Sequence, residues 1–267
     1  MIGLLRAHPP AAPAMWHRSR GQWRGWRWQD VLADVTALAG ALHAHGAGNR
    51  LILLSESRPE ALIAVLAAHW LGAELVTADA THAIADTAAD ADLLRAAGHT
   101  GTITLIDPPP GETGLAAFIA NAPAPPPPVP STPEPTPAAP ALHGFCQSPL
   151  RDPAEFRANI LPFLRDGGTL TFPERPDTVA ADLREARPER FSATSAQWHA
   201  LHETLARRIP PARLTWPFAA TRIRRQLGLD RARLLLAHGG PLAPAPTAFF
   251  AAIGLPLTEI AADAIPR

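Results

Sequence analysis

The sequence predicts an α/β protein built from two parallel-sheet α/β subdomains. Three observations carry that expectation. Apolar residues alternate between helical spacing and short unbroken runs along most of the chain. That alternation is interrupted once, between Asp107 and Pro140, where thirteen prolines fall. The 267 residues are 47 % apolar and 18 % charged, enough for a buried core in one or two domains. An alternating helix–strand order favours parallel strands joined by right-handed crossovers.

Trp28, Val31, Leu32, Val35, Leu38, Ala39 and Leu42 recur at helical spacing, and Gly46 stops that helix. Leu51–Leu54 is a short apolar run of the kind found in strands covered on both faces. Ser57 and Pro59 open a helix carrying Leu62, Ile63, Leu66 and Trp70, which Gly72 ends. Glu74–Val76 is a second strand, Asp86–Ala97 a weaker helix before Gly98, and Thr102–Ile106 a third strand. This gives a first subdomain over 1–106.

Proline removes backbone donors and blocks helix and sheet, so 107–140 is expected to be an extended, partly mobile linker with polyproline character. The second subdomain is expected over 141–267. Asp152-Pro153-Ala154-Glu155 has the form of a boxed helix start, running to Arg165. A Gly167-Gly168 turn leads into a strand at Thr169–Phe172. Helices follow at Asp177–Arg187, Ser195–Arg207 and Thr221–Leu227, with strands at Phe191–Ala193 and Arg233–Ala237. The Gly239-Gly240-Pro241 turn precedes a helix at Pro244–Ile253, and a strand begins at Leu255–Glu259.

Lys plus Arg equals Asp plus Glu at 24 each, so no nucleic-acid surface is expected. The single cysteine, Cys146, excludes a disulfide framework and a cysteine-based zinc site within one chain. The N-terminus lacks a long apolar region and makes a poor signal peptide. No apolar run reaches the ~18 residues of a membrane span. A soluble, cytoplasmic protein is the expectation.

The segment 223–259, IRRQLGLDRARLLLAHGGPLAPAPTAFFAAIGLPLTE, closely resembles a stretch of the long-chain acyl-CoA synthetases of the AMP-forming, adenylate-forming superfamily. An arginine-rich helix, a Leu-Gly-Leu turn, a strand, a Gly-Gly-Ala-Pro-Leu-like loop, a helix with paired phenylalanines and a Gly-Leu-Pro-Leu turn follow in the family's order. Residues 158–201 and the N-terminal third are similar to the family's preceding helices and strands. The resemblance covers about two thirds of the chain and implies the N-terminal part of the adenylate-forming fold.

It also shows what is missing. The family's phosphate loop, rich in Thr and Ser and carrying a Lys, falls where this chain has its proline-rich stretch. Gly111-Glu112-Thr113-Gly114 reads as a turn, and the 267 residues contain no Lys and no Tyr. Where the family has an aromatic and His motif, this chain has Phe145-Cys146-Gln147-Ser148-Pro149-Leu150-Arg151, with His143 nearby. Where the family has Tyr-Gly-x-Thr-Glu, an ungapped reading gives Ala261-Ala262-Asp263-Ala264-Ile265. The sequence ends at Arg267, before the rest of the nucleotide site and the domain that bears the family's catalytic Lys. Donors that stabilise transition-state charge are usually the largest catalytic term. The expectation is therefore a catalytically degenerate relative with no catalytic residue, no metal and no cofactor.

The candidate ligand-binding residues are His238, Gly239, Gly240, Pro241 and Glu259. A glycine-rich strand-to-helix turn can bind anions through backbone N–H groups, and the resemblance places this loop at a carboxylate and adenylate pocket. A tight packing turn is the competing reading. Ser195 is expected to cap its helix, and His199 and His202 to lie on a solvated helix face. Trp16, Trp23, Trp26 and Trp28, interleaved with Arg24 and Arg27, suggest packing and cation–π contacts. Arg222, Arg224 and Arg225 read as a helix face. The implied ligand is a fatty acid or other carboxylate. Uncovered strand edges would favour a protein partner or a homo-oligomer. Two alternatives stand beside this reading: an active ligase using ATP and Mg²⁺, completed by a partner chain, and a pure interaction module.

Overall fold

The computed structural model describes residues 2–120, 122–129, 140–150, 152–207 and 216–260. They form two compact units. One is built mainly from residues 2–15 and 25–129, the other from 16–24, 140–148, 152–207 and 216–260.

Helix α1 is Ile2–Ala7, followed by strands β1 (Pro13–Ser19) and β2 (Gln22–Arg27). The helical spacing from Trp28 to Leu42 forms α2, Trp28–Ala44, and buries Trp28, Val31, Val35, Leu38 and Leu42. Strand β3 is Arg50–Leu54. Helix α3, Pro59–Leu71, begins with proline where no intrahelical donor is needed and ends at Gly72 with φ 67°. Then come β4 (Glu74–Val76), β5 (His82–Ala85), α4 (Ala88–Ala96), β6 (Thr102–Leu105) and α5 (Leu115–Ala120). Strands β4-β3-β5-β6 form a parallel sheet in that order. No sequence pattern marks β5. All four of its residues are buried, and a short strand of His, Ala and Ile has neither alternation nor a strongly apolar run. The helix expected from Asp86 starts instead at Ala88, because Thr87 and Asp90 form a capping box.

Within 107–140, α5 is regular helix, and residues 122–129, which have no regular secondary structure, lie against α3. Trp70 Nε1 donates to Pro126 O at 2.8 Å, and Val129 N donates to Trp70 O at 3.1 Å. A Cβ on Gly72 would meet Val129 Cγ2 at 2.9 Å. Proline lacks an N–H, but its carbonyl still accepts, and that anchors this stretch. Residue 121 and residues 130–139 lie outside the described residues.

The second unit opens with β7 (Gly144–Phe145). The helix expected over 152–165 is divided into α6 (Pro153–Glu155), a π-turn (Phe156–Ile160) and α7 (Leu161–Asp166). Pro162 carries no N–H, and just before it the Leu161 N–H reaches back to Phe156 O. There follow β8 (Leu170–Phe172), α8 (Val179–Ala186), β9 (Arg190–Thr194) and α9 (Ser195–Ala206). The unit ends with α10 (Trp216–Leu227), β10 (Leu234–His238), α11 (Pro244–Ala252) and β11 (Leu257–Glu259). The sheet order is β11-β10-β9-β7-β8-β1-β2. The pairings β11–β10, β10–β9, β9–β7 and β7–β8 are parallel.

Strands β1 and β2, which the sequence pattern does not reveal, are joined across Arg20 (φ 50°) and Gly21 (φ 75°), the positive-φ pair of a tight hairpin turn. Arg18 Nη1 donates to Asp182 at 3.1 Å and to Glu185 at 2.6 Å, and Trp23 Nε1 donates to Glu185 at 3.0 Å. These contacts tie the hairpin tip to α8. Arg18 also stacks over Trp23 at 5.9 Å, a cation–π contact made by Arg18 and not by the Arg24 or Arg27 that the sequence suggests. Among the described residues, no helix is long and apolar enough to cross a membrane.

The period of two along each strand sorts this unit's interior. Phe191 and Ala193 of β9, with Leu235 and Ala237 of β10, join Trp198, Ile223, Phe250 and Leu255 in one apolar core. Ser192 and His238 occupy the alternate positions and face α6 and the π-turn. One side of the sheet is thus apolar and the other carries a buried polar cluster.

Candidate functional site

The cluster begins with Glu155, which is 0 % exposed. Ser192 Oγ donates to its Oε2 at 2.7 Å, and Asn159 Nδ2 to its Oε1 at 2.9 Å. The Cys146 thiol is a further donor to it. Burial nonetheless pushes the Glu155 carboxyl above its ordinary range, against those hydrogen bonds. Asn159 Nδ2 also donates to Ser192 Oγ at 2.8 Å, leaving Asn159 Oδ1 buried with no hydrogen bond.

His238 ends β10 and is 1 % exposed. Its Nε2 stands 3.7 Å from Glu155 Oε2 and its Nδ1 3.7 Å from Asp152 Oδ2. Both distances are too long for a hydrogen bond, and Nε2 has none. Burial holds the imidazole below its ordinary pKa, with Asp152 opposing. The shifts of Glu155 and His238 run in opposite directions with the same cause: burial disfavours the charged form of each.

Gly239 (φ 76°) and Gly240 (φ 140°) turn the chain out of β10, in backbone regions that favour glycine. A Cβ on Gly240 would meet nothing within 4 Å, so glycine is needed there for its backbone and the adjacent space is open. Ser195 Oγ donates to Gly240 O at 2.6 Å and to His238 O at 3.3 Å. Past Pro241, Leu242 N donates to Glu259 Oε1 at 3.0 Å, and Ala243 N to His199 Nε2 at 3.3 Å. The structure therefore brings His238, Gly239, Gly240, Pro241 and Glu259 together at the C-terminal ends of β10 and β11. Ligands of open parallel sheets bind at that edge.

Three expectations change. Ser195 does not cap α9: Thr194 does, boxed with Gln197, which frees Ser195 to brace the glycine turn. His199 and His202 are not on a solvated face. His199 accepts from the α11 approach, and the His202 ring packs on Phe249 at 5.0 Å. Glu155 does not fold back to box α6; Asp152 alone caps it, accepting from Ala154 N at 2.8 Å. Sequence reasoning does not find Glu155, Asn159, Ser192 and Asp152 as a cluster. The available signal is a Glu and an Asn four apart, on a helix that packs under a strand with Ser at an inward position.

A nucleotide fits this edge poorly. Phosphates need cations or unengaged N–H groups. The N–H groups of Leu242 and Ala243 are already taken, and Asp152, Glu155 and Glu259 bring carboxyl groups to the end of β10. Among the described residues no group of three or more His, Cys, Asp and Glu is arranged to hold a metal.

No family model and no curated protein matches the chain. Solved structures do. An acyl-CoA synthetase from Brucella canis superposes with a TM-score of 0.70 at 16 % identity, over 96 % of this chain and 56 % of that one. A benzoate CoA ligase from Burkholderia xenovorans gives 0.71 at 14 %, over 96 % and 59 %. The A domain of a carboxylic acid reductase from Segniliparus rugosus, in complex with AMP and a co-purified carboxylic acid, gives 0.69 at 16 %, over 97 % and 58 %. The chain spans less than two thirds of each of these structures. Its architecture is that of the N-terminal part of the AMP-binding, adenylate-forming fold.

Proposed function

We propose that the chain is an acyl-CoA synthetase-like protein that lacks ligase activity and binds a fatty acid or other carboxylate at the C-terminal edge of its seven-stranded sheet. Residues 107–140 link its two α/β subdomains. The observation that carries this reading is the Gly239–Gly240 turn, open on one side and adjoining the buried His238–Glu155 pair. The turn offers backbone groups to an oxyanion, and the unbonded His238 Nε2 adds a neutral polar partner. Degeneracy is supported by the absence of Lys and Tyr from the 267 residues and by the carboxyl groups of Asp152 and Glu259, which oppose a polyphosphate. Neither ATP nor Mg²⁺ is needed for this role, which would lie in fatty-acid or polyketide-type metabolism.

A second reading is an ATP- and Mg²⁺-dependent ligase completed by a partner chain. It draws on the likeness to a domain bound to AMP and a carboxylic acid. A third is an interaction module for a protein partner or a second copy. ATP–pyrophosphate exchange with a panel of aliphatic and aromatic acids, beside calorimetric titration of the same acids, separates them. Binding without exchange, weakened at least tenfold by Gly240→Ala, is the expected result. Exchange by this chain alone sinks the degenerate reading, and exchange only with an added protein establishes the second. Absence of any acid binding leaves the third.

A further inference from the structure

A second site lies on the opposite face of the seven-stranded sheet. There α8, α9 and α10 cross the side of β9 from which Phe191 and Ala193 project, and they enclose a slot of about 370 Å³. Leu183, Trp198, Leu201 and Leu227 complete its apolar wall. That volume lies in the range of small-molecule pockets, roughly 300–1,000 Å³. The hollow in the first unit, between Trp26 and Ile119, is smaller at about 180 Å³.

The two ends of the slot differ. At the C-terminal end of β9 its polar groups are Gln147 and Gln197, and both are engaged. Gln147 Nε2 donates to Ser192 O at 3.1 Å, and Gln197 Oε1 accepts from Thr194 N at 2.8 Å. At the other end stand Arg184 and Gln226, both exposed. They also line an adjoining surface hollow of about 720 Å³ with Phe218, Thr221, Arg222 and Arg225. Phe218 is 85 % exposed. Arg184 Nε donates to Ala180 O, which leaves its terminal nitrogens. Among the described residues, Arg184, Arg222 and Arg225 have no carboxylate at ion-pair distance. The nearby acids are engaged elsewhere: Glu185 holds Arg18 and Trp23, and Asp230, which also feels Arg225, holds Arg187.

We propose that this slot binds an anionic amphiphile in a fixed polarity. Its apolar chain lies over Phe191, Ala193 and Trp198, and its phosphate- or carboxylate-type head sits at the rim formed by Arg184, Arg222 and Arg225. Guanidinium groups pair with either oxyanion through paired N–H donors. The rim is exposed and salt-screened, so the chain supplies most of the affinity and the arginines set the direction. This polarity points the head away from the Gly239–Gly240 turn. The sheet itself separates the slot from Glu155 and His238, so the site is independent of the carboxylate site proposed above.

The test is calorimetric titration of the 267-residue chain with decanoate, decyl phosphate and decanol, each kept below its micellar concentration. Both anions are expected to bind at least tenfold more tightly than decanol, and each added methylene to strengthen binding about fourfold until the slot is full. The stronger of the two anions identifies the head group. Arg184→Gln combined with Arg225→Gln should weaken both anions at least tenfold and leave decanol unchanged. Leu201→Trp should remove binding of all three. If that variant fails to fold, Ala180→Leu at the exposed lip replaces it. Gly240→Ala should leave the decyl phosphate and decanol titrations unaltered and remove only the share of decanoate binding that belongs to the other site, so the decanoate comparisons are made in that background. Equal binding of decanol and decanoate, or anion binding undiminished by the arginine substitutions, overturns the proposal. So does decyl phosphate binding lost in Gly240→Ala but kept in Leu201→Trp.

Discussion

Both sheets end in polar groups at the C-terminal tips of their strands, but the two ends are balanced differently. In the four-stranded sheet, Asp86 at the end of β5 accepts from Ser55 Oγ at 2.6 Å and from Glu56 N at 2.8 Å. Arg58 then bridges Glu60 at 2.9 Å and Asp107 at 2.6 Å, with Asp86 at 3.7 Å. Its charge is matched on every side, and those partners hold its pKa above the ordinary value despite burial. In the seven-stranded sheet, burial disfavours the charged forms of Glu155 and His238 with no ion pair to offset it, and two buried polar atoms, Asn159 Oδ1 and His238 Nε2, remain unbonded. A closed ion-pair network has nothing left to offer a ligand. An incompletely bonded buried cluster beside a glycine turn does. The contrast places the candidate site in the second unit.

The largest effect should come from emptying the polar cluster. Glu155→Ala strands the buried Ser192 hydroxyl and leaves a cavity where the carboxyl stood, at a cost on the order of 3 kcal/mol. Glu155→Gln keeps the size and an acceptor, and should cost under about 1 kcal/mol at pH 7. Urea unfolding of the two variants measures the difference, and equal losses would mean that the carboxyl's hydrogen bonds carry none of the effect. The direction of the Glu155 shift adds a pH signature. A carboxyl raised in the folded state contributes stability that is complete below its unfolded value and is lost as pH rises through the folded one. Wild type should therefore lose stability relative to Glu155→Gln on going from acid to neutral pH.

The first unit should show the opposite slope. His82 is buried against Thr104 at 2.9 Å, and burial, reinforced by His45 and His99, pushes it down to about 4. A histidine depressed in the folded state stabilises above its unfolded pKa of about 6.5 and loses that contribution as pH falls toward 4. The loss should be on the order of 2 kcal/mol, read from hydrogen exchange of β3 and β5 amides between pH 7 and pH 4. Asp86, raised by burial, contributes with the reverse sign. His82→Gln isolates the histidine, and a slope that survives the substitution assigns it elsewhere.

Smaller effects follow at the two edges. Gly240→Ala places a side chain at φ 140°, which should cost about 1–2 kcal/mol in a thermal melt even though the added methyl has room. Asp107→Asn removes one partner from Arg58, but Asp107 is 62 % exposed at its side chain, and Glu60 and Asp86 remain. Its expected cost is under about 1 kcal/mol. A larger loss would show that the four-stranded edge depends on that single pair.

Legibility in the sequence follows the range of the interaction. The helix from Trp28, the run at Leu51–Leu54 and the Pro59-to-Gly72 helix are readable because apolar period and caps are local. β5 and the β1–β2 hairpin are not: four buried residues of His, Ala and Ile carry no period, and Arg20-Gly21 is a weak turn signal. At the site, the glycine turn is legible because two positive φ values demand glycine. The contact of Glu259 with Leu242 N, seventeen residues away, is not. Ser195 misleads because a Ser that opens a helix looks like its cap. The cap is Thr194, one residue earlier, and only the packed loop shows where the Ser195 hydroxyl is used.

The sequence by itself determined the α/β class, the order of most elements and the turn at Gly239–Gly240, because periodicity, capping and glycine conformation act over a few residues. The tertiary structure alone decided that Glu155, Asn159, Ser192 and His238 share one buried cluster, and that Arg184 and Arg225 share a rim. Those groups lie on different elements. What unites them is the side of β9 and β10 that each element packs against, and that is settled only when the strands pair.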